Sequence, residues 1–448
     1  MRSGDGVTTL QHVAVTGRVR QATIEQHATW RIRWQRGKES DATPRLARIE
    51  VADFEQTKIE HPQGKLFADC TESVLGGNDS YRKQFLRGMN HWFERIQDKR
   101  HFYLLGNPGL AVGDVNGDGL DDLYVCQEEG LPNRLFLQRK DGSARDVSAE
   151  WGVDWLHSSR GVLLVDLDND GDQDLAVAMV GSLILAANDG RRFTIRAVLA
   201  TDEDSMSLSS ADYDGDGDLD LFVCAYFESG KNKSTIRGEI LGGVAGDGIA
   251  LGGGRNTLFR NDIARGGDWR FTDVTKASGV DVKNKRYSFA SSWEDYDQDG
   301  DPDLYVVNDY GRNNLFRNDG GRFTDVTATA AAEDDAFGMA VTWGDYDRDG
   351  WMDLHVSNMF SSAGGRVTHS DRFRNVGAAW RNKLQRSARG NTLLRNTGTG
   401  RFTDVTDRAG IAMGRWAWSS NFVDVNNDGW DDILVANGFL TTDDTGDL

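Results

Sequence analysis

DYDGDGDLD, residues 212–220, decides the fold of this 448-residue chain. Asp212, Asp214, Asp216 and Asp220 would repel one another unless something positive held them together. Calcium is the cation that suits them, since it takes about six to eight oxygens, largely from carboxylates and carbonyls. Side chains at positions 1, 3 and 5 can converge on one ion if the chain turns sharply at position 6. Gly217 permits that turn because it has no Cβ. A lone copy could equally be an acidic surface turn.

Five further copies argue against the surface turn: DVNGDGLDD from Asp114, DLDNDGDQD from Asp166, DYDQDGDPD from Asp295, DYDRDGWMD from Asp345 and DVNNDGWDD from Asp424. Each has Asp or Asn at position 3, Asp at 5, Gly at 6 and Asp at 9. The candidate metal ligands are therefore Asp114, Asn116, Asp118 and Asp122 in loop one, and Asp166, Asp168, Asp170 and Asp174 in loop two. Loop three offers Asp212, Asp214, Asp216 and Asp220, and loop four Asp295, Asp297, Asp299 and Asp303. Loop five offers Asp345, Asp347, Asp349 and Asp353, and loop six Asp424, Asn426, Asp428 and Asp432. Up to six Ca²⁺ ions are expected, one per loop.

An EF-hand does not fit. It needs a bidentate Glu at position 12 and flanking helices, but position 12 is Val125, Val177, Val223, Val306, Val356 or Val435. Each loop runs on into DLYV, DLAV, DLFV, DLYV, DLHV or DILV, short β-branched and aromatic runs that read as strands. Each loop thus joins strand A to strand B, and the ninth-position Asp opens strand B. A strand C comes next, as in NRLFLQ (133–138), NTLFRN (256–261), NNLFRN (313–318) and NTLLRN (391–396). Strand D is RFTDVT at 270–275, 322–327 and 401–406. Four short antiparallel strands in an array of repeats is the pattern of propeller blades, which bury their faces against each other. The fold class is all-β, a β-propeller with six calcium-loop blades visible.

These loops, the DLYV strand and the NxLFxN…FTDVT pairing resemble the FG-GAP/VCBS repeats of integrin-alpha-like propellers. They are most similar to the bacterial and cartilage-acidic-protein group that often carries an ASPIC/UnbV domain. The resemblance implies seven blades, bound calcium, export to an extracellular or periplasmic space and a role in recognition. No ASPIC/UnbV domain is visible after the last unit, and MRSGDGVTTLQH lacks the apolar stretch of a leader. A fragment of a longer exported protein would account for both. KLFADCT (65–71) resembles RFTDVT and is expected to give an outer strand to the last blade. Residues 63–448 form the expected propeller domain, with an amphipathic connecting helix near 80–98. Residues 1–62 lack the loops and read as a small β-rich α+β segment.

The net charge of −19 argues against nucleic acid or an anionic membrane as partner. Much of that charge is in the loops, and no apolar run is long enough to span a membrane. Cys70, Cys126 and Cys224 are scattered, unlike a disulfide framework. No nucleophile, zinc or phosphate-binding motif is present. His355 lies in a strand and Trp293 and Trp343 recur two residues before their loops, so all three read as packing residues.

Two functions are compatible with these features. One is a non-catalytic calcium-binding propeller that recognises a protein or glycan. The alternative is a propeller enzyme, a lyase or hydrolase, working in the central channel. Both long insertions, near 227–254 and 361–390, join strands B and C and emerge opposite the calcium loops. The second carries Arg366, Arg372, Arg374, Arg381, Lys383, Arg386 and Arg389 around Trp380. It fits an arm that meets an acidic partner, and equally a helix folded back over the acidic blades.

Overall fold

The computed structural model describes residues 2–3, 6–19, 22–35, 44–60, 67–97, 108–202, 204–228, 252–263, 265–266, 268–370, 373, 377–426 and 428–437. The chain divides into two compact units, Met1–Glu72 and Ser73–Leu448. The first holds one antiparallel sheet in the order β1 (Arg2–Ser3), β2 (Gly6–Val19), β3 (Ala22–Gln35) and β4 (Arg45–Glu60). No helix occurs among the described residues before Thr71, so the segment expected to mix α and β is a sheet of long strands.

The second unit is the β-propeller. Blade one is β5 (Leu110–Gly113), β6 (Asp122–Val125), β7 (Arg134–Gln138) and β8 (Ala144–Asp146). Blade two is β9 (Ser159–Val165), β10 (Asp174–Met179), β11 (Ser182–Asn188) and β12 (Phe193–Ala200). Blade three is β13 (Ser205–Ala211), β14 (Asp220–Ala225), β15 (Thr257–Asn261) and β16 (Phe271–Asp273). Blade four is β17 (Ser288–Glu294), β18 (Asp303–Asn308), β19 (Asn314–Asn318) and β20 (Phe323–Asp325). Blade five is β21 (Gly338–Gly344), β22 (Asp353–Asn358), β23 (Thr392–Asn396) and β24 (Phe402–Asp404). Blade six has β25 (Ala417–Val423) and β26 (Asp432–Asn437). All pairings are antiparallel between sequence neighbours, the order that short hairpin connections dictate. The seventh blade implied by the resemblance is not among the described residues.

The core lies between successive blades. Phe222 and Leu258 of blade three pack with Leu304, Val306 and Phe316 of blade four, all almost fully buried. Tyr305 and Leu315 of blade four meet Leu354, Val356 and Leu394 of blade five in the same way. Trp293 packs edge-on to Phe222 of the preceding blade, and Trp343 repeats this against Tyr305. Each such side chain removes enough apolar surface to stabilise by about 1.5–3 kcal/mol. Blades also approach closely, since a Cβ on Gly344 would overlap the Phe422 ring of blade six.

Two expectations about the entry to blade one are corrected. Phe67–Cys70 is not a strand, because Asp69 accepts the Thr71 N–H at 3.0 Å and starts a helix at Thr71–Leu75. The segment near 80–98 is not one helix. It is a π-helical turn at Tyr81–Phe85 and a short α-helix at Met89–Phe93, separated where Gly88 adopts an extended backbone. Its Tyr81, with Leu75 of the preceding helix, packs on Phe136 of blade one.

Candidate metal centres

In every blade strand A ends immediately before loop position 1 and strand B starts at the ninth-position Asp. Between them the backbone wraps around position 1. The Asp295 carboxylate accepts the Asp299 N–H at 3.0 Å and the Gly300 N–H at 2.9 Å. Asp212 and Asp345 do the same for their loops. Position 5 then accepts the N–H of position 7, as Asp299 does from Asp301 at 3.0 Å. Position 6 is left-handed throughout, with φ of 97° at Gly300 and 92° at Gly217.

The ninth-position Asp binds the loop to the rest of its blade. Asp303, fully buried, accepts the Tyr296 N–H at 3.2 Å with one oxygen and the Asn318 N–H at 2.7 Å with the other. Asp122, Asp174, Asp220 and Asp353 repeat both bonds. Each carboxylate oxygen keeps a lone pair, so the staple does not preclude metal ligation.

Four loops bring three carboxylates together with one oxygen of each within 4.8 Å of the others: Asp166, Asp168 and Asp174; Asp212, Asp214 and Asp220; Asp295, Asp297 and Asp299; Asp345, Asp347 and Asp353. Asp170, Asp216, Asp303 and Asp349 belong to the same loops. Loops one and six have Asn at position 3 instead. Asn116 and Asn426 turn their side-chain carbonyls onto the Asp118 and Asp428 N–H groups at 2.9 and 2.8 Å. Those loops hold Asp114 and Asp122, or Asp424 and Asp432, with one carboxylate fewer.

The donor set fits a hard divalent cation. One oxygen each of Asp166, Asp168, Asp297 and Asp347 is buried with no hydrogen-bond donor. A buried carboxylate oxygen without a donor is costly, and an oxygen-seeking cation at that point removes the cost. Burial, then the neighbouring carboxylates, push Asp297 and Asp168 above the usual carboxylate range. Burial holds Asp220 and Asp303 at about 8 and Asp174 and Asp353 at about 7 despite the backbone donors.

That sets a pH signature. Without metal, the folded protein holds these protons above the pH at which the unfolded chain, near pKa 3.8, has released them. Metal-free stability is therefore greatest near pH 4 and declines as pH rises toward 8. Excess calcium should reverse the slope, because the ion needs the carboxylates ionised. Melting curves at pH 5, 6.5 and 8 with chelator and with calcium check both signs.

Two residue classes at the loops have no metal-binding signature in the sequence. Position 4 is left-handed even where it is not glycine, with φ of 61° at Asn169, 59° at Gln298 and 58° at Arg348. Its side chain reaches the following loop. Asn169 donates to Asp218 at 2.8 Å, Gln298 donates to the Gly350 carbonyl at 2.6 Å, and Arg348 lies 4.2 Å over the Trp430 ring.

The second class is the Asn that ends strand C. Asn188, Asn261, Asn318 and Asn396 each donate, at 2.8 Å, to the position-2 carbonyl of the preceding loop: Val115, Leu167, Tyr213 and Tyr296. The recurring final N of NxLFRN was its only sequence signal. Asn318→Ala should cost about 2–3 kcal/mol, because it strands a buried carbonyl as well as removing bonds. Denaturant unfolding in chelator measures this apart from any metal effect.

Asp273, Asp325 and Asp404 of the FTDVT strands accept from Thr275, Thr327 and Thr406 in local turns. Buried His355 contacts the Ser420 hydroxyl at 2.9 Å, and burial lowers its pKa to about 4. Phe289 and Trp418, on the first strands of blades four and six, meet with ring centroids 5.9 Å apart. Cys126 and Cys224 are buried free thiols and Cys70 is exposed.

The insertion near 227–254 lies largely outside the described residues. The one near 361–390 contains helices at Ser362–His369 and Ala378–Arg389. Three of its seven cations turn inward. Arg386 lies 3.5 Å from both Asp334 and Asp404, Arg389 2.9 Å from Asp404, and Lys383 3.7 Å from Asp335. Arg366 is exposed, Arg381 half-buried, and Arg372 and Arg374 lie outside the described residues. No helix among the described residues is long and apolar enough to cross a membrane.

Comparison with known proteins agrees with the repeat geometry. Cartilage acidic protein 1 from Homo sapiens is 39% identical over 71 residues, 16% of this chain and 11% of that protein. Its Xenopus tropicalis counterpart is 37% identical over 71 residues, with the same shares of each chain. The chain thus spans about a tenth of the length of these relatives. Among solved structures, an Agrocybe aegerita lectin described by its recognition of non-reducing terminal N-acetylglucosamine aligns with a TM-score of 0.38 and 12% identity, covering 88% of this chain and 79% of the lectin. A 6-phosphogluconolactonase-like protein from Bacteroides uniformis aligns with a TM-score of 0.36 and 9% identity, covering 85% and 80%. Likenesses this distant carry no argument about ligand or activity. The FG-GAP-like repeat matches at residues 114–177, 166–223, 295–356 and 379–435, over half of the chain and across each of the six loops, and the chain belongs to the FG-GAP-like repeat family.

Proposed function

We propose that this chain is a calcium-stabilised propeller that serves as a non-catalytic recognition module, working outside the cytoplasm on a protein or glycan. The observation that carries the calcium reading is that loops two to five each bring three carboxylates within 4.8 Å of one another and each leave at least one buried carboxylate oxygen without a donor. Calcium at the millimolar level outside cells would fill even weak sites of this kind. The aromatic contact between Phe289 and Trp418, on the first strands of blades two apart, favours recognition over chemistry in a central channel.

The recognition element is the helical arm between β22 and β23. A long connection on a rigid scaffold is a common place for a binding surface. Arg386 and Arg389 anchor the arm to blade five, which leaves Arg366 and Arg381 to meet an acidic partner through charge-assisted hydrogen bonds. The test screens the calcium-loaded protein against acidic glycans and acidic protein surfaces. The Arg366→Glu/Arg381→Glu double variant should lose at least about tenfold in affinity for the ligand captured, as two reversed contacts imply, with an unchanged melting temperature. Undiminished binding would remove the arm from the interface.

A further inference from the structure

Two of the carboxylate loops carry their own cation. In loop three, Arg265 Nη2 lies 2.8 Å from Asp214 Oδ2 and 2.9 Å from Asp216 Oδ2. In loop five, Arg395 Nε lies 2.5 Å from Asp347 Oδ2 and its Nη2 2.6 Å from Asp349 Oδ2. Both guanidiniums bridge positions 3 and 5, yet they arrive from different places. Arg395 is the fourth residue of β23, whereas Arg265 lies beyond the end of β15 in the turn toward β16. Oδ1 of Asp214 and of Asp347 remains buried and without a donor beneath them.

The other loops give an internal comparison. In blade two the residue matching Arg395 is Ala187, and no arginine is paired with Asp168 or Asp170 among the described residues. In blade four the matching Arg317 pairs with Asp319 at 3.0 Å and acts on Asp297 only through its charge, with no ion pair from an arginine to Asp297 or Asp299 among the described residues. All four loops share the bond from the position-6 N–H to position 1 and the bond from the position-7 N–H to position 5; of the four, only loop two lacks the bond from the position-5 N–H to position 1, which leaves Asp166 Oδ1 without a donor.

We infer that Arg265 and Arg395 are built-in counter-cations that make loops three and five a weaker calcium class than loops two and four. A guanidinium is charged at every relevant pH; Arg395 divides two nitrogens between the two carboxylates, whereas Arg265 meets both through Nη2. An entering Ca²⁺ needs the same position-3 and position-5 carboxylates. It must displace the guanidinium or accept a positive charge against its shell. When calcium is scarce, the arginines hold these two turns in shape while loops two and four keep their ions. This inference rests on the calcium reading of the loops.

The test is calcium titration calorimetry on the whole chain, beside melting curves in chelator. The parent should show two classes of site at least about tenfold apart, the scale expected when one charge-assisted pair must be displaced. Arg265→Gln with Arg395→Gln should move the weak class toward the tight one by a similar factor. The same variant should melt lower than the parent in chelator and no lower in excess calcium. Arg265→Lys with Arg395→Lys, which keeps both charges but loses the two-nitrogen contact of Arg395, should fall between the two and serves if the Gln variant does not fold. Unchanged affinities, or weaker binding in the Gln variant, would overturn the inference and leave the calcium reading intact. No calcium uptake by the parent would overturn both.

Discussion

Removing calcium should lower the melting temperature of this protein by about 13 °C. A ligand bound only by the folded state at about 100 times its Kd stabilises by about 2.7 kcal/mol. Four loops converge three carboxylates each, so saturation of these alone would contribute on the order of 10 kcal/mol. For a unit the size of Ser73–Leu448 each kcal/mol moves the midpoint by about 1.3 °C. Magnesium should restore much less, because it demands a tighter octahedron and gives up its waters reluctantly. Differential scanning calorimetry in chelator, magnesium and calcium measures all three. A midpoint that ignores chelation would remove the metal from these loops, as would protein that contains no calcium by elemental analysis.

The second large effect separates two roles within one loop. Asp303→Ala should cost roughly 4 kcal/mol even in chelator, since two buried N–H groups, of Tyr296 and Asn318, lose their acceptor at about 1–3 kcal/mol each. Asp303→Asn should be nearly as damaging, because its amide N–H₂ must face one of those N–H donors. Asp299→Ala removes an exposed position-5 ligand whose carboxylate accepts the Asp301 N–H. It should cost less than about 1 kcal/mol in chelator, as surface changes do. In calcium the Asp299 variant should lose one bound ion and part of the calcium-dependent gain. Urea titrations of both variants, with and without calcium, resolve the two roles. Equal losses in chelator would show that position 9 is no more structural than position 5. Damage at Asp299 should also stay local, since each blade packs mainly on its neighbours; loss of all calcium binding would instead require coupled sites.

The sequence by itself determined the blade. Position-specific Asp and Gly in six copies, each leading into a β-branched run, left one consistent turn between two strands, and the structure starts strand B at the ninth Asp in all six. Local chemistry suffices there, because the turn is closed by bonds between residues no more than seven apart. It failed at KLFADCT, where likeness to RFTDVT outweighed the helix start encoded by Asp69 and Thr71, and at 80–98, where one periodicity hid the break at Gly88.

Only the tertiary structure decided how blades hold one another. The Asn396 bond to Tyr296 spans 100 residues, and the Gln298 side chain reaches Gly350 in the next loop. Position 4 is Gly, Asn, Gln or Arg, with no shared chemistry to mark it, because what it must match is the neighbouring blade. The basic arm is the same case. Seven cations in 24 residues fit a partner-binding arm and a helix folded back over the acidic blades equally well from the sequence. Arg386, Arg389 and Lys383 are committed to Asp404 of their own blade and to Asp334 and Asp335 in the connection from blade four, carboxylates brought beside them only by folding. Charge is written in the chain, but which charges face each other depends on distances that exist only after folding.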